Sequence, residues 1–586
     1  MLPQTRSLKL LMSFILPWEK IIETKKCHFS GKEFIVTDKD LEFYEKISPV
    51  FAGKKYTMPS PTLSPEERQR RRFAWRNERK LYHRKCDKTG NQIISIYSPD
   101  KQYTVYDHRI WWGDEWSAFD YGRKFDFNRG FFEQFDELMH QVPLLSIYNL
   151  DSENSDYTNF AWYNKNCYLT FWCFQSENCL YGKWISKCRN CLDSFFINDT
   201  EKCYEVVNCQ RCYDLKYSKN CADCRESWFL RNCRNCDHCF GSDNQTGKSY
   251  LIFNKPVPKE MYESEIKKYL QQYRPENIHS QFLSRSILEK NFTNSGSDDS
   301  IGDLLNNCSN CFMTYNSTNS LDCKFNDGIK FWKSSYDTIW NNIDSEFLYE
   351  CLWVGKSSNI FAAIGSEHCA LSLYTIYSQN VSDTFGCIGL KKWNNCIMNT
   401  AYSRQEYEML AWKITEHMMA SGEWGEFFPI QMSPFGYNET VAQEYFPISQ
   451  DTSEQYWWNW KQDEETSSYH GAYYEIRDIS QYDEKIVGYE IAQKNIDEVL
   501  SWILLCEITK KPFKIIKQEL AFYIENSISL PRKHPDVRHR DRFLQCNQRK
   551  LYERECAECK KKIVTTYPPE SPERVVCEAC YRKLVY

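Results

Sequence analysis

The sequence predicts a mainly β protein with helices (α+β), built around a central parallel β-solenoid, or β-helix, of hexad repeats in two segments and flanked by two related zinc-ribbon-like modules. Three observations carry this expectation: a six-residue periodicity of small and apolar residues through the middle of the chain, a duplication that pairs its two ends, and a C-x2-C…C-x2-C pattern confined to the last copy. With 586 residues the chain can bury several cores without disulfide staples. Its 28 cysteines are too sparse for a small disulfide scaffold. A reducing, cytoplasmic setting is therefore expected. The net charge of −5 argues against a chain coated in nucleic acid, and no stretch is long and apolar enough for a membrane span.

The first element, 1–26, holds "SLKLLMSFILPWEK", whose short apolar run lacks a small-residue cleavage site and reads as a packing or docking helix. The module at 27–112 follows. Its "CHFSGKEFIVTDKDLEFYEKIS" from Cys27 aligns with "CEITKKPFKIIKQELAFYIENS" from Cys506, and the stretch from Pro61 aligns with that from Pro531 in one register. Arg68, Arg70, Arg72, Arg84 and Cys86 fall on Arg538, Arg540, Arg542, Arg554 and Cys556. The ends, 27–112 and 505–586, are thus two copies of one module. Only the second keeps Cys556, Cys559, Cys577 and Cys580, four thiolates at zinc-ribbon spacing, which predicts one structural Zn2+. The first has Thr89 in place of the second cysteine and "VYDHRIWW" at the second knuckle, so it is expected to keep the shape without the metal. Cys506 and His534 could begin a further site, but Thr509 and Val537 stand where its other ligands would be.

A connecting α/loop segment is assigned to 113–165, the first solenoid segment to 166–255, a helical cap and linker to 256–300, the second solenoid segment to 301–400, and a helical cap with an aromatic and acidic connecting region to 401–504. From Cys167 to Cys239 every sixth residue is small or apolar, and so is the residue three further on; the rule returns from Cys351 to Cys387. Helices repeat at 3.6, so a six-residue period fits short strands joined by corners. Three hexads per turn are expected, stacking Cys351, Cys369 and Cys387 around a narrow interior where reduced cysteine acts as a small apolar residue. Asn166, Asn178, Asn190, Asn208, Asn220 and Asn232 suggest a polar ladder at a corner. Zinc binding by some of these central thiols, or disulfides among them, are the alternatives. "NFTNSGSDDS" between the segments reads as a flexible linker.

"RNERKLYHRKCD", "FGCIGLKKWNNCIMN", "GEWGEFFP", "SPFGYNETVAQEYFP", "LPRKHPD" and "CEACYRKLVY" together make the chain resemble a family of cysteine-rich zinc-ribbon proteins of uncultured candidate-phylum bacteria. The resemblance implies cysteines in relatives at the positions of Ser64, His534 and Val537, hence more zinc sites than this chain has. It implies no activity.

Two basic runs mix arginine with aromatics, the combination that grips phosphate while stacking on bases. Arg68, Arg70, Arg72, Arg79, Arg84, Arg538, Arg540, Arg542, Arg549 and Arg554 are the candidate contacts to RNA, DNA or a ribonucleoprotein. Carboxylates interleave with them, so a lattice of internal ion pairs is the competing reading. No GxGxxG, P-loop, HExxH or nucleophile-elbow pattern occurs, and a non-enzymatic interaction scaffold is expected. The alternatives are a pure protein–protein scaffold and a polysaccharide-binding or -processing β-helix, the latter requiring converging carboxylates on the solenoid flank.

Overall fold

The computed structural model describes residues 15–16, 18–341, 344–462, 469, 473–475 and 493–585. Most of the N-terminal helix expected within 1–26, and the end of the acidic and aromatic stretch, lie outside them. Between residues 149 and 397 the chain winds into about 20 turns of parallel β-solenoid. Most coils take twelve residues: Phe171 pairs with Lys183 and Lys183 with Phe195, in parallel register, while Tyr336 pairs with Tyr349 across a thirteen-residue coil. Two hexads, not three, therefore make a turn. Cys351 stacks on Ala363 and Ala363 on Thr375, while Cys369 belongs to the opposite side. The expected triple stack of Cys351, Cys369 and Cys387 is corrected accordingly. A six-residue period is compatible with either count, and only the strand register separates them.

The coil is a four-sided tube with a corner at every third residue. Asn166, Leu169, Trp172 and Gln175 all have φ between 47° and 56°, and the pattern continues along both segments. The left-handed region costs roughly 1–2 kcal/mol for an ordinary side chain, less for asparagine. That cost is offset because each corner N–H reaches the carbonyl of the preceding coil, as Asn178 N does to Lys165 O at 2.9 Å. The residue after each corner points inward. Cys167, Thr170, Cys173 and Ser176 line one coil, each at most 2% exposed. Asparagine corners bond coil to coil in two ladders, 154–166–178–190 and 208–220–232–244, with amide contacts of 2.8–3.4 Å.

The central cysteines form columns inside this tube, Cys209–Cys221–Cys233 beside Cys212–Cys224–Cys236, all buried. Their thiols donate to main-chain carbonyls, Cys221 to Lys219 O and Cys224 to Ala222 O at 3.3 Å. Among the described residues, no three of the central sulfurs come close enough together to share one ion. Cys221→Ser is accordingly expected to cost about 1 kcal/mol for burying a hydroxyl in place of the thiol. Denaturation midpoints and elemental analysis check it, with metal content unchanged.

The solenoid starts at Asn149, earlier than the expected 166, because Asn149 and Leu150 pair with Ala161 and Trp162. The expected linker is also coil: Ser295 bridges Asn306 and Asp298 bridges Ser309. There the serines are structural, Ser297 and Ser300 accepting from Cys308 N and Cys311 N at 3.0 and 3.1 Å. Both segments end alike. Asn254 and Asn399 adopt positive φ and turn the chain into an antiparallel strand. Helices Lys259–Gln272 and Arg404–Ser421 follow and pack against the last strands, Ser249–Ile252 and Asn394–Ile397, burying Tyr262 and Tyr407. The cover over the last coil was expected from sequence and meets the need to protect a sheet edge.

The chain divides into two compact units. One holds residues 1–146, the second solenoid segment (289–461) and the ribbon of the C-terminal module (548–581); the other holds the first segment (147–288) and residues 462–547.

Candidate metal centre and its degenerate copies

The two end modules share one element order. Helices Asp38–Ile47 and Pro65–Phe73 correspond to Lys517–Glu525 and Pro535–Phe543, and the hairpin of Tyr82–Lys85 with Gln92–Ser95 corresponds to Tyr552–Glu555 with Lys562–Thr565. Within each module the same small loop occurs twice, so four of them occur among the described residues. At Cys556 the loop is closed by Cys556 N to Lys561 O at 2.8 Å, Lys560 N to Cys556 O at 3.0 Å and Ala557 N to Val575 O at 2.9 Å. Cys86, Cys27 and Cys506 repeat all three bonds with Asn91, Lys32 and Lys511, with Gly90, Gly31 and Lys510, and with Val105, Thr62 and Arg532. The fifth residue of each loop has φ between 58° and 74°. Glycine meets that demand at Gly31 and Gly90, lysine at Lys510 and Lys560.

Opposite each loop a second segment opens a helix: Ser64, Asp107, His534 and Cys577 immediately precede Pro65, His108, Pro535 and Glu578. Cys577 N donates to Cys556 Sγ at 3.3 Å, and Asp107 N donates to Cys86 Sγ at the same distance. The four-fold recurrence of the loop was not read from the sequence. Only one cysteine survives in the loop at Cys27, Cys86 and Cys506, and the loop-to-helix spacing varies.

In the last copy alone are all four donors cysteine. The sulfurs of Cys556, Cys559, Cys577 and Cys580 lie within 4.8 Å of one another, and Cys559 and Cys577 stand 3.8 Å apart. A tetrahedral zinc with Zn–S of ~2.3 Å separates its sulfurs by about 3.8 Å, so the donor set fits the ion. Burial raises the Cys556 thiol, but the N–H groups of Cys577, Cys559 and Glu558 outweigh it and bring it down to about 6. The crowding of neighbouring sulfurs, Cys577 foremost, holds Cys580 up at about 12. Four thiols so close cannot all ionise without a cation among them. The expected zinc ligands are therefore brought together. An ion there would tie the hairpin to the helix Glu578–Val585 and would do so as a structural staple, since four protein ligands leave no open position.

In the copy at Cys86, Thr89, Asp107 and Ile110 replace the other three cysteines, and Trp111 is fully buried beside them. The N-terminal module thus keeps its shape by packing. The triple variant T89C/D107C/I110C is expected to take up one additional zinc per chain, read by elemental analysis against the parent. At Cys506, the His534 ring accepts from Asp536 N at 3.1 Å and so caps its helix. Val537 is buried in the apolar core.

Most of the candidate nucleic-acid arginines are placed elsewhere than on an open face. Arg68 and Arg72 are at most 1% exposed and both bind Asp337 of the second solenoid segment, at 2.9 and 3.0 Å, while Arg72 also binds Glu350 at 2.8 Å. The matching residues of the other copy do the same on the first segment. Arg538 pairs with Asp193 and with Glu519 at 3.1 Å, and Arg542 pairs with Asp193 and Glu205 at 2.9 Å each. Asp193, Glu205, Asp337 and Glu350 are all corner residues with positive φ, so the left-handed corners aim carboxylates at the helices. Arg70 pairs with Glu67 and lies over Phe29 and Trp458. Arg549 binds Asp327 at 2.6 Å. Arg84 binds Asp87, and Arg554 donates to the carbonyls of Pro568 and Glu573. Arg79 is half-buried, and only Arg540 of the ten is exposed. Among the described acidic and aromatic residues, Tyr456 and Trp458 pack on Phe29.

No helix among the described residues is long and apolar enough to cross a membrane. No protein-family model matches the chain, and no curated protein matches it.

Proposed function

We propose that the protein is a non-enzymatic scaffold, two β-solenoid segments with one zinc-stapled ribbon, that presents its flanks to protein partners in a reducing compartment. The observation that carries this reading is the use of Arg68, Arg72, Arg538 and Arg542 as internal clamps between helix and solenoid. Guanidiniums held by buried carboxylates are not at hand for phosphate. Contact with RNA, DNA or a ribonucleoprotein would rest chiefly on Arg540. The reducing compartment rests on composition: 28 cysteines in 586 residues are too sparse for a disulfide scaffold. Membership in the cysteine-rich zinc-ribbon family that the chain resembles is part of the same proposal.

The sugar-processing reading needs two carboxylates free to share a substrate. In the flank groove of the first segment, a space of about 780 Å³, Glu177, Asp199, Glu201 and Glu226 alternate with Lys187, Arg189, Arg211 and Arg225. Arg189 faces Glu177 across one coil step at 3.7 Å, and Arg211 binds Asp223 at 2.6 Å. Such alternation suits a polar docking flank better than a hydrolytic pair.

Fluorescence anisotropy with generic single- and double-stranded RNA and DNA, at 50 and 200 mM salt, tests the reading. The scaffold reading expects no binding whose strength falls with salt. Binding with a steep salt slope would overturn it, and a slope shallower by about one unit in Arg540→Ala would place one of the contacts at that residue.

A further inference from the structure

We propose, resting on the scaffold reading above, that the charged flank of the first solenoid segment is a self-pairing surface, which docks on the same flank of a second copy of this chain with the two solenoids antiparallel. The twelve-residue coil lays this surface out. Two columns run along it side by side, one of corner residues and one of the residues two places further on, and each step along a column is one strand spacing, ~4.8 Å. Lys187 and Asp199 are successive corners, with φ of 55° and 53°, and in the column beside them Arg189 bridges Glu201. These two coils therefore each carry one sign across both columns, Lys187 with Arg189 and then Asp199 with Glu201.

Two observations separate these bands from the ion-pair lattice of an ordinary solvated face. First, the central charges are not used internally. Arg189 leans back to Glu177 at 3.7 Å and Arg211 leans forward to Asp223 at 2.6 Å, so Lys187, Asp199 and Glu201 stand in no ion pair among the described residues, although opposite charge lies one coil away. Second, all of them line the flank groove and are open to solvent, Lys187, Arg189 and Asp199 exposed and Glu201 half-buried. A partner for such a groove must show negative charge to one coil and positive charge to the next, at the spacing of the coils.

A second copy, turned over, meets that requirement. A twofold axis set across the flank, between the coil of Lys187 and that of Asp199, lays each column on its own counterpart with the order of coils reversed. Lys187 then faces Asp199 of the second copy and Arg189 faces its Glu201, and the symmetry repeats both pairs in one isologous contact. One coil further out, Glu177 comes beside Tyr213 and Arg211 of the second copy, where charge is again complementary. The other twofold, along the coil axis, would set Arg189 on Arg189 and Glu201 on Glu201, and like charges face to face exclude it. Exposed ion pairs are individually weak and are screened by salt, so the contact is reversible.

Sedimentation velocity of the full chain tests the self-pairing, at protein concentrations up to about 200 µM and at about 50 and 500 mM salt. A monomer–dimer equilibrium is expected at low salt, weakened about tenfold or more at high salt. K187E/R189E and D199K/E201K each bring like bands face to face and should be monomeric at both salts. Mixed one to one they should form a heterodimer, because every band then meets its opposite, and that rescue requires both variants to be folded. The neutral K187Q/R189Q, milder on the coil, should weaken the parent dimer by about tenfold. A monomeric parent at low salt would overturn the self-pairing and leave the flank to a different protein. So would a dimer that K187Q/R189Q or either reversal leaves unchanged, or two reversed variants with native circular dichroism that stay monomeric when mixed. None of these results touches the scaffold reading, which the nucleic-acid titration decides on its own.

Discussion

Cys577→Ser is expected to abolish metal binding by the C-terminal ribbon and to unfold it, while the solenoid remains intact. Within the ribbon the apolar core is slight, and its remaining ties are to the second segment: strand Leu288–Lys290 pairs with Arg574–Val576, Phe292 packs with Leu551, and Thr566 Oγ1 donates to Asp303 at 2.7 Å. Its hairpin is four residues a side, and no residue of the helix Glu578–Val585 is buried. Apparent binding free energies for structural zinc are about 10–16 kcal/mol, far more than so small a core supplies. Two measurements read the result: elemental analysis should lose one zinc per chain, and limited proteolysis should open the tail from about residue 548 while solenoid fragments persist. Unchanged metal content would sink the assignment of Cys577 as a ligand.

Asp193→Ala is expected to destabilise the first segment by about 3–5 kcal/mol, the loss typical of removing one partner from a buried ion pair. Asp193 is fully buried and serves both Arg538 and Arg542, themselves 5% and 1% exposed. Without it two guanidiniums stay buried with only Glu519 and Glu205 to balance them. Urea unfolding followed by circular dichroism measures the loss. A compensated variant that takes out every charge of the cluster, D193L/E205Q/E519Q/R538M/R542M, should recover most of the stability, because it leaves no buried charge without a partner. A loss below about 1 kcal/mol in D193A would mean that the arginines are solvated and available to other partners, and the nucleic-acid reading would regain weight.

The solenoid was legible because its inward positions repeat every third residue and cysteine, serine, threonine and valine all fit a narrow tube. The number of hexads per turn was written in the outward positions instead. Glu153, Lys165, Glu177, Arg189 and Glu201 alternate in sign at intervals of twelve, and Lys165 and Arg189 do lie beside Glu153 and Glu177, at 3.5 and 3.7 Å. Alternation at that interval makes sense only for vertical neighbours. Phe160, Trp172, Trp184 and Phe196 carry the same message, stacked with centroids 4.6–5.8 Å apart.

The four-cysteine set of the ribbon was legible because its ligands are close in sequence and zinc constrains their spacing. The arginine clamps were not, since Arg68 lies 269 residues from Asp337 and Arg538 lies 345 from Asp193. Nothing local distinguishes a guanidinium destined for a buried carboxylate from one destined for phosphate. The interleaved carboxylates pointed to the ion-pair lattice, but the partners that matter lie on the solenoid corners.

The most direct test of the account is the zinc content per chain of protein purified under reducing conditions without added zinc and dialysed against a mild chelator, which strips weakly held ions. One zinc is expected, released together with the reactivity of four thiols. Three or more would show that thiols in the solenoid bind metal, and the reading of those columns as a packed apolar core would be wrong.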